Sequence, residues 1–266
     1  MQPAFPCQSL NRRRPRPQAF LTTSWDDGHP LDLRLAELLH KYRVPGTFYV
    51  PRRNTRPVMD DGALRCLADE FEIGGHTISH ADLLLLNAEE ARFEIAGCRT
   101  DLEDVTGRAC CSFAFPRGRY RRAYLAYARD AGFRCVRTVE LMSIAEPVQR
   151  DGIAVIPTSI QAHATGCWAM LKNTIKRYAV VNLMTYIQRR KDNWRATAES
   201  LLDLVAERGG VFHLWGHSWE IEEYGEWGGL ERLLDVISQR KQDFHLLCNG
   251  ELYPATRDGT ALHRGK

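Results

Sequence analysis

Short apolar runs alternate with amphipathic stretches along most of this chain, and this alternation constrains its fold more than any other feature. Apolar runs at Ala19–Trp25, Thr47–Val50 and Val211–Trp215 predict strands. Apolar residues at helical spacing in Leu31–Tyr42 and Ala88–Thr106 predict helices. Strands that alternate with helices favour a parallel sheet, and 266 residues are enough for one such α/β domain.

The two ends of the chain depart from this pattern. The N-terminal stretch contains the basic run Arg12-Arg13-Arg14-Pro15-Arg16 and lacks the apolar core that a secretory signal needs. We predict a disordered basic arm over residues 1–18, one folded domain over residues 19–253 and a C-terminal tail over residues 254–266. No stretch reaches the roughly 20 apolar residues of a membrane span, so we expect a cytoplasmic protein.

The composition excludes some classes of partner and site. A formal net charge of +3 gives no general reason to expect a nucleic-acid partner. The eight cysteines include no Cys-x-x-Cys pair, so we expect reduced thiols and no cysteine zinc site. The oligomeric state is left open.

Two carboxylates meet at the end of the first predicted strand, in the run Ser24-Trp25-Asp26-Asp27-Gly28. Adjacent like charges at the end of a buried strand repel each other, and a turn before Gly28 needs only one of them. A bound cation would offset the repulsion by holding one carboxylate and leaving the other as a proton acceptor. Taken alone, a functional pair and an ordinary Asp-Gly turn are equally good interpretations.

Two imidazoles follow another predicted strand, in the run Gly74-Gly75-His76-Thr77-Ile78-Ser79-His80. Histidines four residues apart share one face of a helix and can also converge in a tight turn, although a pair of surface histidines is the alternative. Two imidazoles and one of the two carboxylates make a three-ligand set for a divalent metal with an open position. The other carboxylate is then free to act as a base, which is the minimum for metal-assisted hydrolysis.

These runs resemble the polysaccharide deacetylases with NodB homology, which form carbohydrate esterase family four. The resemblance rests on Ser24–Pro30, Gly46–Pro51 and Gly74–His80 and covers about residues 19–250. It implies a distorted (β/α) barrel of about seven parallel strands in a single domain. By position in the motifs, it also implies that Asp26 is the catalytic base and that the metal ligands are Asp27, His76 and His80.

A weaker match to the family's third motif covers Phe113–Tyr120. Pro116 matches the motif, and we expect it to contact substrate. Ala114 stands where the family has the arginine that braces the base, and Arg117 or Arg119 is a candidate replacement. The resemblance further implies that the backbone N–H of Arg117 stabilises an oxyanion. A basic surface turn is the alternative interpretation of this segment.

The strand Val211–Trp215 leads to a counterpart of the family's last motif, with the altered spacing Leu-x-x-His. His217 lies nearest the end of the strand and is the predicted general acid, whereas we expect His213 to pack inside. A supporting role in the core is the alternative for His217. We expect Trp215 and Trp219 to contact the apolar faces of sugar rings, or else to belong to the core and its lid.

Two further polar segments receive no catalytic role. Asp192-Asn193-Trp194 is a candidate for the family's fourth motif, which orients the acid, but a helix N-terminus explains it as well. The acidic run Glu220-Ile221-Glu222-Glu223 is expected to be a solvated loop.

Together these patterns predict a metal-dependent hydrolase that removes an N-acyl group, in the simplest case N-acetyl, from an amino sugar in a glycan, a glycan precursor or a glycoside. Zinc is the expected metal, with Co²⁺, Mn²⁺ and Ni²⁺ as alternatives, and a carbohydrate is the expected partner. An amidohydrolase acting on a cyclic ureide or imide is a second hypothesis, because pocket loops set the substrate on a shared scaffold. A non-catalytic saccharide-binding relative is a third, supported by the missing arginine and the altered last motif.

Overall fold

A computed structural model describes residues 18–163 and 180–258 of the chain. The predicted N-terminal arm, most of a helix that the sequence predicts over Gly166–Val181, and most of the predicted C-terminal tail lie outside these residues.

Ten strands in the described residues form one sheet. They are β1 (Ala19–Asp26), β2 (Thr47–Val50), β3 (Glu72–Gly75), β4 (Ser112–Ala114), β5 (Cys135–Arg137), β6 (Val148–Arg150), β7 (Ile153–Ile156), β8 (Ile160–Gln161), β9 (Gly210–Gly216) and β10 (His245–Leu246). The α-helices are α1 (Asp32–Tyr42), α2 (Asp61–Glu70), α3 (Ala88–Thr106), α4 (Ala123–Asp130), α5 (Val180–Arg189), α6 (Trp194–Arg208), α7 (Ser218–Glu223), α8 (Trp227–Gln239) and α9 (Asn249–Asp258).

Seven of these strands lie side by side and parallel, in the order β7-β5-β4-β3-β2-β1-β9. The short strands extend this set, since β6 pairs antiparallel with β7, β8 pairs with β9 and β10 pairs with β1. The extended segment 153–161 pairs with β5 at its start and with β9 at its end, so the sheet curls back on itself. The predicted distorted barrel of about seven parallel strands, in a single domain, is confirmed.

The central strand β1 is buried along its whole length and is flanked by β2 and β9. Asp26 at its carboxyl end lies in register with Tyr49 of β2, and Trp25 lies in register with Gly216 of β9. Because the neighbouring strands are parallel, their carboxyl ends meet at the same rim of the barrel. The residues that follow β1, β3 and β9 are therefore brought together.

Helix boundaries follow local capping chemistry. Asn87 and Glu90 form a reciprocal capping box at the start of α3, which ends at Gly107 in the left-handed conformation. The side chain of Asn193 accepts a hydrogen bond from the N–H of Ala196 and so caps α6. Asp192 beside it is exposed, so the helix N-terminus accounts for this segment.

Two stretches near the end of the chain differ from expectation. The prediction of a solvated loop over Glu220–Glu223 is wrong, because these residues form most of α7 and Ile221 is buried in the core. The helix α9 continues past Tyr253, where the folded domain was expected to end, and its Leu252 is buried. Among the described residues, no helix combines the length and the apolar character needed to cross a bilayer.

Two glycines at the end of β3 allow the strands to approach each other closely just before His76. A Cβ atom on Gly74 would lie 2.5 Å from the ring of Tyr49 and 2.8 Å from the hydroxyl of Ser112. A Cβ atom on Gly75 would lie 2.8 Å from the ring of Phe133. The glycine pair thus serves the packing that places the first histidine of the site.

We predict that Gly74→Ala destabilises the protein by about 1–3 kcal/mol, because the added methyl group overpacks the contact with Tyr49. Urea unfolding monitored by circular dichroism measures the change. The matched control is Gly228→Ala on the exposed side of α8, which should change stability by less than about 0.5 kcal/mol. Equal stability of Gly74→Ala and wild type would contradict the role given to this glycine.

Candidate metal centre and active site

Asp27, His76 and His80 converge at the rim of the barrel. Asp27 Oδ1 lies 3.1 Å from His80 Nε2 and 3.8 Å from His76 Nε2. One candidate ligand atom from each residue lies within 4.8 Å of the others. Asp27 and His80 have positive φ angles of 82° and 53°, so the turns after β1 and β3 aim both side chains inward.

The donor atoms of this cluster fit a divalent cation. Asp27 Oδ1 is buried and has no hydrogen-bond partner of good geometry among the described residues. Burial lowers the pKa of His76 to about 4, so its imidazole is neutral at physiological pH. Its Nδ1 lies 2.8 Å from the carbonyl oxygen of Ala114 and donates to it, which leaves a lone pair on Nε2 facing Asp27. One carboxylate oxygen and two imidazole nitrogens are a typical ligand set for catalytic zinc.

Asp26 lies beside the cluster and is ionised. Arg137, a fully buried residue at the end of β5, donates a hydrogen bond to Asp26 Oδ1. Burial by itself would raise the pKa of Asp26, but the charge and hydrogen bond of Arg137, together with the charge of His217, outweigh it and hold the pKa below its usual value. Asp26 is thus a carboxylate that can accept a proton.

The partner of Asp26 is a residue that the sequence analysis did not identify. Neither candidate replacement holds this position, because Arg119 binds Asp82 at 2.5 Å and Arg117 is exposed at the mouth of the site. Ala114 of β4 and Arg137 of β5 are register partners on adjacent strands. The guanidinium therefore lies one strand away from its expected position, at the same height of the barrel. The sequence feature that could have indicated Arg137 is its position as a charged residue within an apolar predicted strand.

His217 follows β9 and approaches the cluster from the opposite side. Its Nδ1 lies 2.6 Å from Glu220 Oε2, and its Nε2 lies 3.9 Å from Asp27 Oδ2. Burial alone would lower the pKa of His217, but the hydrogen bond to Glu220 and the charges of Asp26, Glu220 and Asp27 raise it above its usual value. His217 is therefore suited to carry a proton.

Glu220 is the second functional residue that the sequence analysis did not identify. It lies on α7, where it accepts hydrogen bonds from His217 and from Gln161 Nε2, the latter at 2.9 Å. Burial opposes its ionisation, but the bond to His217 dominates and lowers the pKa of Glu220. The acidic run looked like a surface segment because one short helical turn gives a weak periodic pattern.

Asp26, Asp27, His76, His80 and His217 line a single cavity of about 390 Å³. Its wall is completed by Arg117, Gly118, Val139, Leu141, Gln161, Trp215 and Trp219. Arg117 has a φ angle of 59° and Gly118 one of 62°, so their backbone turns at the cavity wall. Pro116 begins this turn but is buried beneath it and does not line the cavity.

The two tryptophans at the cavity differ in their surroundings. Trp215 is largely buried, and its indole nitrogen has no hydrogen-bond partner among the described residues. Trp219 donates from Nε1 to Asp27 Oδ2 at 2.9 Å, and the guanidinium carbon of Arg56 lies 3.5 Å from its ring centroid. His213, the other histidine of this strand, is fully buried against Ser24 and packs inside as expected.

Comparison with known proteins agrees with this architecture. Residues 13–136 match the family model described as polysaccharide deacetylase. A candidate polysaccharide deacetylase from Mycobacterium smegmatis has a TM-score of 0.63 at 16% identity, covering 93% of this chain and 95% of that chain. The Bc1960 peptidoglycan N-acetylglucosamine deacetylase has a TM-score of 0.57 at 15% identity, covering 90% of each chain. The chitin deacetylase of Colletotrichum lindemuthianum has a TM-score of 0.54 at 16% identity, covering 88% of each chain. No curated protein matches the chain.

A further carboxylate, Asp32, lies buried at the start of α1, close to the site. It is 0% exposed, and neither of its carboxylate oxygens has a hydrogen-bond partner of good geometry among the described residues. Burial raises the pKa of Asp32 to about 8. In the sequence it resembled an ordinary acidic residue in the first turn of a helix, so its burial was not predictable from local pattern.

We predict that Asp32→Asn stabilises the protein relative to wild type increasingly as the pH rises. The folded-state pKa of about 8 exceeds the ordinary value of 3.8, so the wild-type protein loses stability as the pH rises between these values. The uncharged amide has no such loss, and the difference in unfolding free energy should grow by up to about 1.4 kcal/mol per pH unit.

Urea unfolding at several pH values across this window measures the difference. The matched control is Asp104→Asn on the exposed side of α3, which should follow the wild-type dependence of stability on pH. A difference between Asp32→Asn and wild type that does not vary with pH would contradict the buried, uncharged state of Asp32.

Proposed function

We propose that this chain is a hydrolase of the polysaccharide deacetylase kind and that it removes an N-acetyl or other small N-acyl group from an amino sugar in a glycan, a glycan precursor or a glycoside. The observation that carries the proposal is the convergence of three side chains that could hold a metal, Asp27, His76 and His80, beside an ionised Asp26 and the imidazole of His217. Two structural neighbours, one named for peptidoglycan N-acetylglucosamine and one for chitin, support an N-acetylated amino sugar as substrate.

The metal would be held by Asp27, His76 and His80, and zinc suits their mixture of nitrogen and oxygen donors. Co²⁺, Mn²⁺ or Ni²⁺ is an alternative at the same ligands. When bound, such an ion supplies Lewis-acid chemistry, since it lowers the pKa of water and polarises a carbonyl group.

Asp26 takes the proton of the attacking water. Its carboxylate is kept ionised by Arg137, whose hydrogen bond also fixes the direction in which the free oxygen points. A base that is already charged and oriented does not have to be organised during the reaction.

His217 gives a proton to the departing amine. This step is required because an amide nitrogen leaves poorly without protonation. Glu220 binds Nδ1, so Nε2 is the nitrogen that faces the site, and the raised pKa of His217 favours its protonated form.

The cavity wall offers further contacts. The backbone N–H of Arg117, in the turn after Pro116, is proposed to stabilise the negative charge that develops on the carbonyl oxygen. Trp215 is proposed to contact an apolar face of the sugar. A cytoplasmic location stays a prediction from the sequence, and it would favour glycan precursors over finished polymers.

We predict that the purified protein with added Zn²⁺ releases acetate from N-acetylated amino sugars and that chelation abolishes the release. His76→Ala should lose stoichiometric metal, measured by elemental analysis, because one of three protein ligands is removed. A panel of amino-sugar precursors, chitin oligomers and cyclic imides identifies the substrate class. Imide hydrolysis without acetate release would favour the second hypothesis.

The control for metal content is Asp26→Asn, which should keep its metal but lose about 10²–10⁴-fold in turnover, because the base is removed and the ligands are not. Unchanged turnover of Asp26→Asn would exclude Asp26 as the base. Tight saccharide binding with no turnover in metal-loaded wild type would point to a non-catalytic relative.

We predict that Arg137→Gln moves the acidic limb of the kcat/KM profile to higher pH, by about one pH unit or more. Removal of the neighbouring cation raises the pKa of Asp26, so less carboxylate is present at a given acidic pH. The matched control is Arg119→Gln, which disrupts the pair with Asp82 and should leave this limb in place. An acidic limb that moves with Arg119→Gln and not with Arg137→Gln would reverse the assignment.

A further inference from the structure

The two carboxylate oxygens of Asp27 have different surroundings. Oδ1 lies between the imidazole nitrogens of His76 and His80 and is buried without a hydrogen-bond partner of good geometry. Oδ2 accepts the indole N–H of Trp219 at 2.9 Å and lies 3.9 Å from His217 Nε2. The side chain is therefore divided into one oxygen free for a cation and one oxygen already bound.

The indole ring of Trp219 has two close neighbours besides Asp27. The guanidinium carbon of Arg56 lies 3.5 Å from the ring centroid, within the range of a cation–π contact. The imidazole of His217 lies 5.1 Å from the indole between ring centroids. The indole is half-buried at the cavity wall and is already engaged by a hydrogen bond, a cation–π contact and a neighbouring imidazole.

The indole N–H is suited to this position by its chemistry. It donates a hydrogen bond and accepts none, so it cannot bind a metal and cannot exchange roles with the carboxylate. A hydrogen bond to the second oxygen favours coordination through Oδ1 alone and fixes the plane of the carboxylate. Partners of this kind, one step removed from the metal, orient ligands and raise metal affinity.

The short helix α7 connects this contact to the acid. Its Trp219 binds Asp27, and the next residue, Glu220, binds His217. One turn of helix at the end of β9 thus orients a metal ligand and the proton donor together.

We propose that Trp219 is a positioning residue that holds Asp27 as a one-oxygen metal ligand, in place of the sugar contact expected from the sequence. This inference rests on the proposed function, because it takes Asp27 as a ligand. It predicts that loss of the indole N–H weakens metal binding even in the absence of substrate.

The experiment compares Trp219→Phe with wild type by competition for Zn²⁺ against a chromophoric chelator. We expect the affinity of Trp219→Phe for Zn²⁺ to fall about 10–100-fold. The matched control is Trp227→Phe, because Trp227 donates its indole N–H to Glu222 at 2.5 Å and has Arg34 at 4.3 Å from its ring. Trp227→Phe loses an equivalent hydrogen bond away from the cluster and should bind Zn²⁺ as wild type does.

Replacement of Trp219 by 3-benzothienylalanine, in which sulfur takes the place of the indole N–H, keeps the shape of the ring. It should show the same loss of affinity even if Trp219→Phe does not fold. A wild-type affinity for Zn²⁺ in either Trp219 variant, with KM for the sugar raised and kcat kept, would overturn the inference and restore the sugar contact. Absence of stoichiometric Zn²⁺ binding by wild type would instead contradict the metal site of the proposed function.

Discussion

Burial of two neighbouring carboxylates at the end of the central strand is the constraint on which the site depends. Asp26 and Asp27 are 4% and 5% exposed, so neither charge is stabilised by bulk water. Each carboxylate has a separate set of partners. Asp26 is bound by Arg137, and Asp27 faces two imidazoles and an indole N–H. The strands, the turns and the short helix at the rim bring these partners to one place.

The surroundings also give chemically similar groups different states. Asp26 is ionised beside a guanidinium, whereas burial of Asp32 raises its pKa to about 8. His76 is neutral because it is buried, whereas Glu220 and the two aspartates raise the pKa of His217. Divergent states of like residues around one site are typical of sites that move protons.

Much of the fold and the ligand set was predictable because the signals are local. The helix α3 spans the residues Ala88–Thr106 that helical spacing predicted, and Asp27, His76 and His80 stand in short runs at strand ends. Arg137 and Glu220 were not predictable in this way, since each acts on a residue that is distant in sequence or lies across a turn. Their roles depend on strand register and on the packing of α7, which composition and periodicity do not encode.

The supply of the guanidinium by Arg137 of β5, with Ala114 at the expected position on β4, affects how such chains are classified. A search that requires an arginine in the third motif would set this chain aside. The two positions are nevertheless register partners on adjacent strands, so the cation has moved sideways by the spacing of one strand. In a curled parallel sheet, a supporting side chain can do its work from any of several adjacent strands, provided that it lies at the right height along the barrel axis. Surveys that compare layers of the barrel would recover relatives that linear motifs exclude.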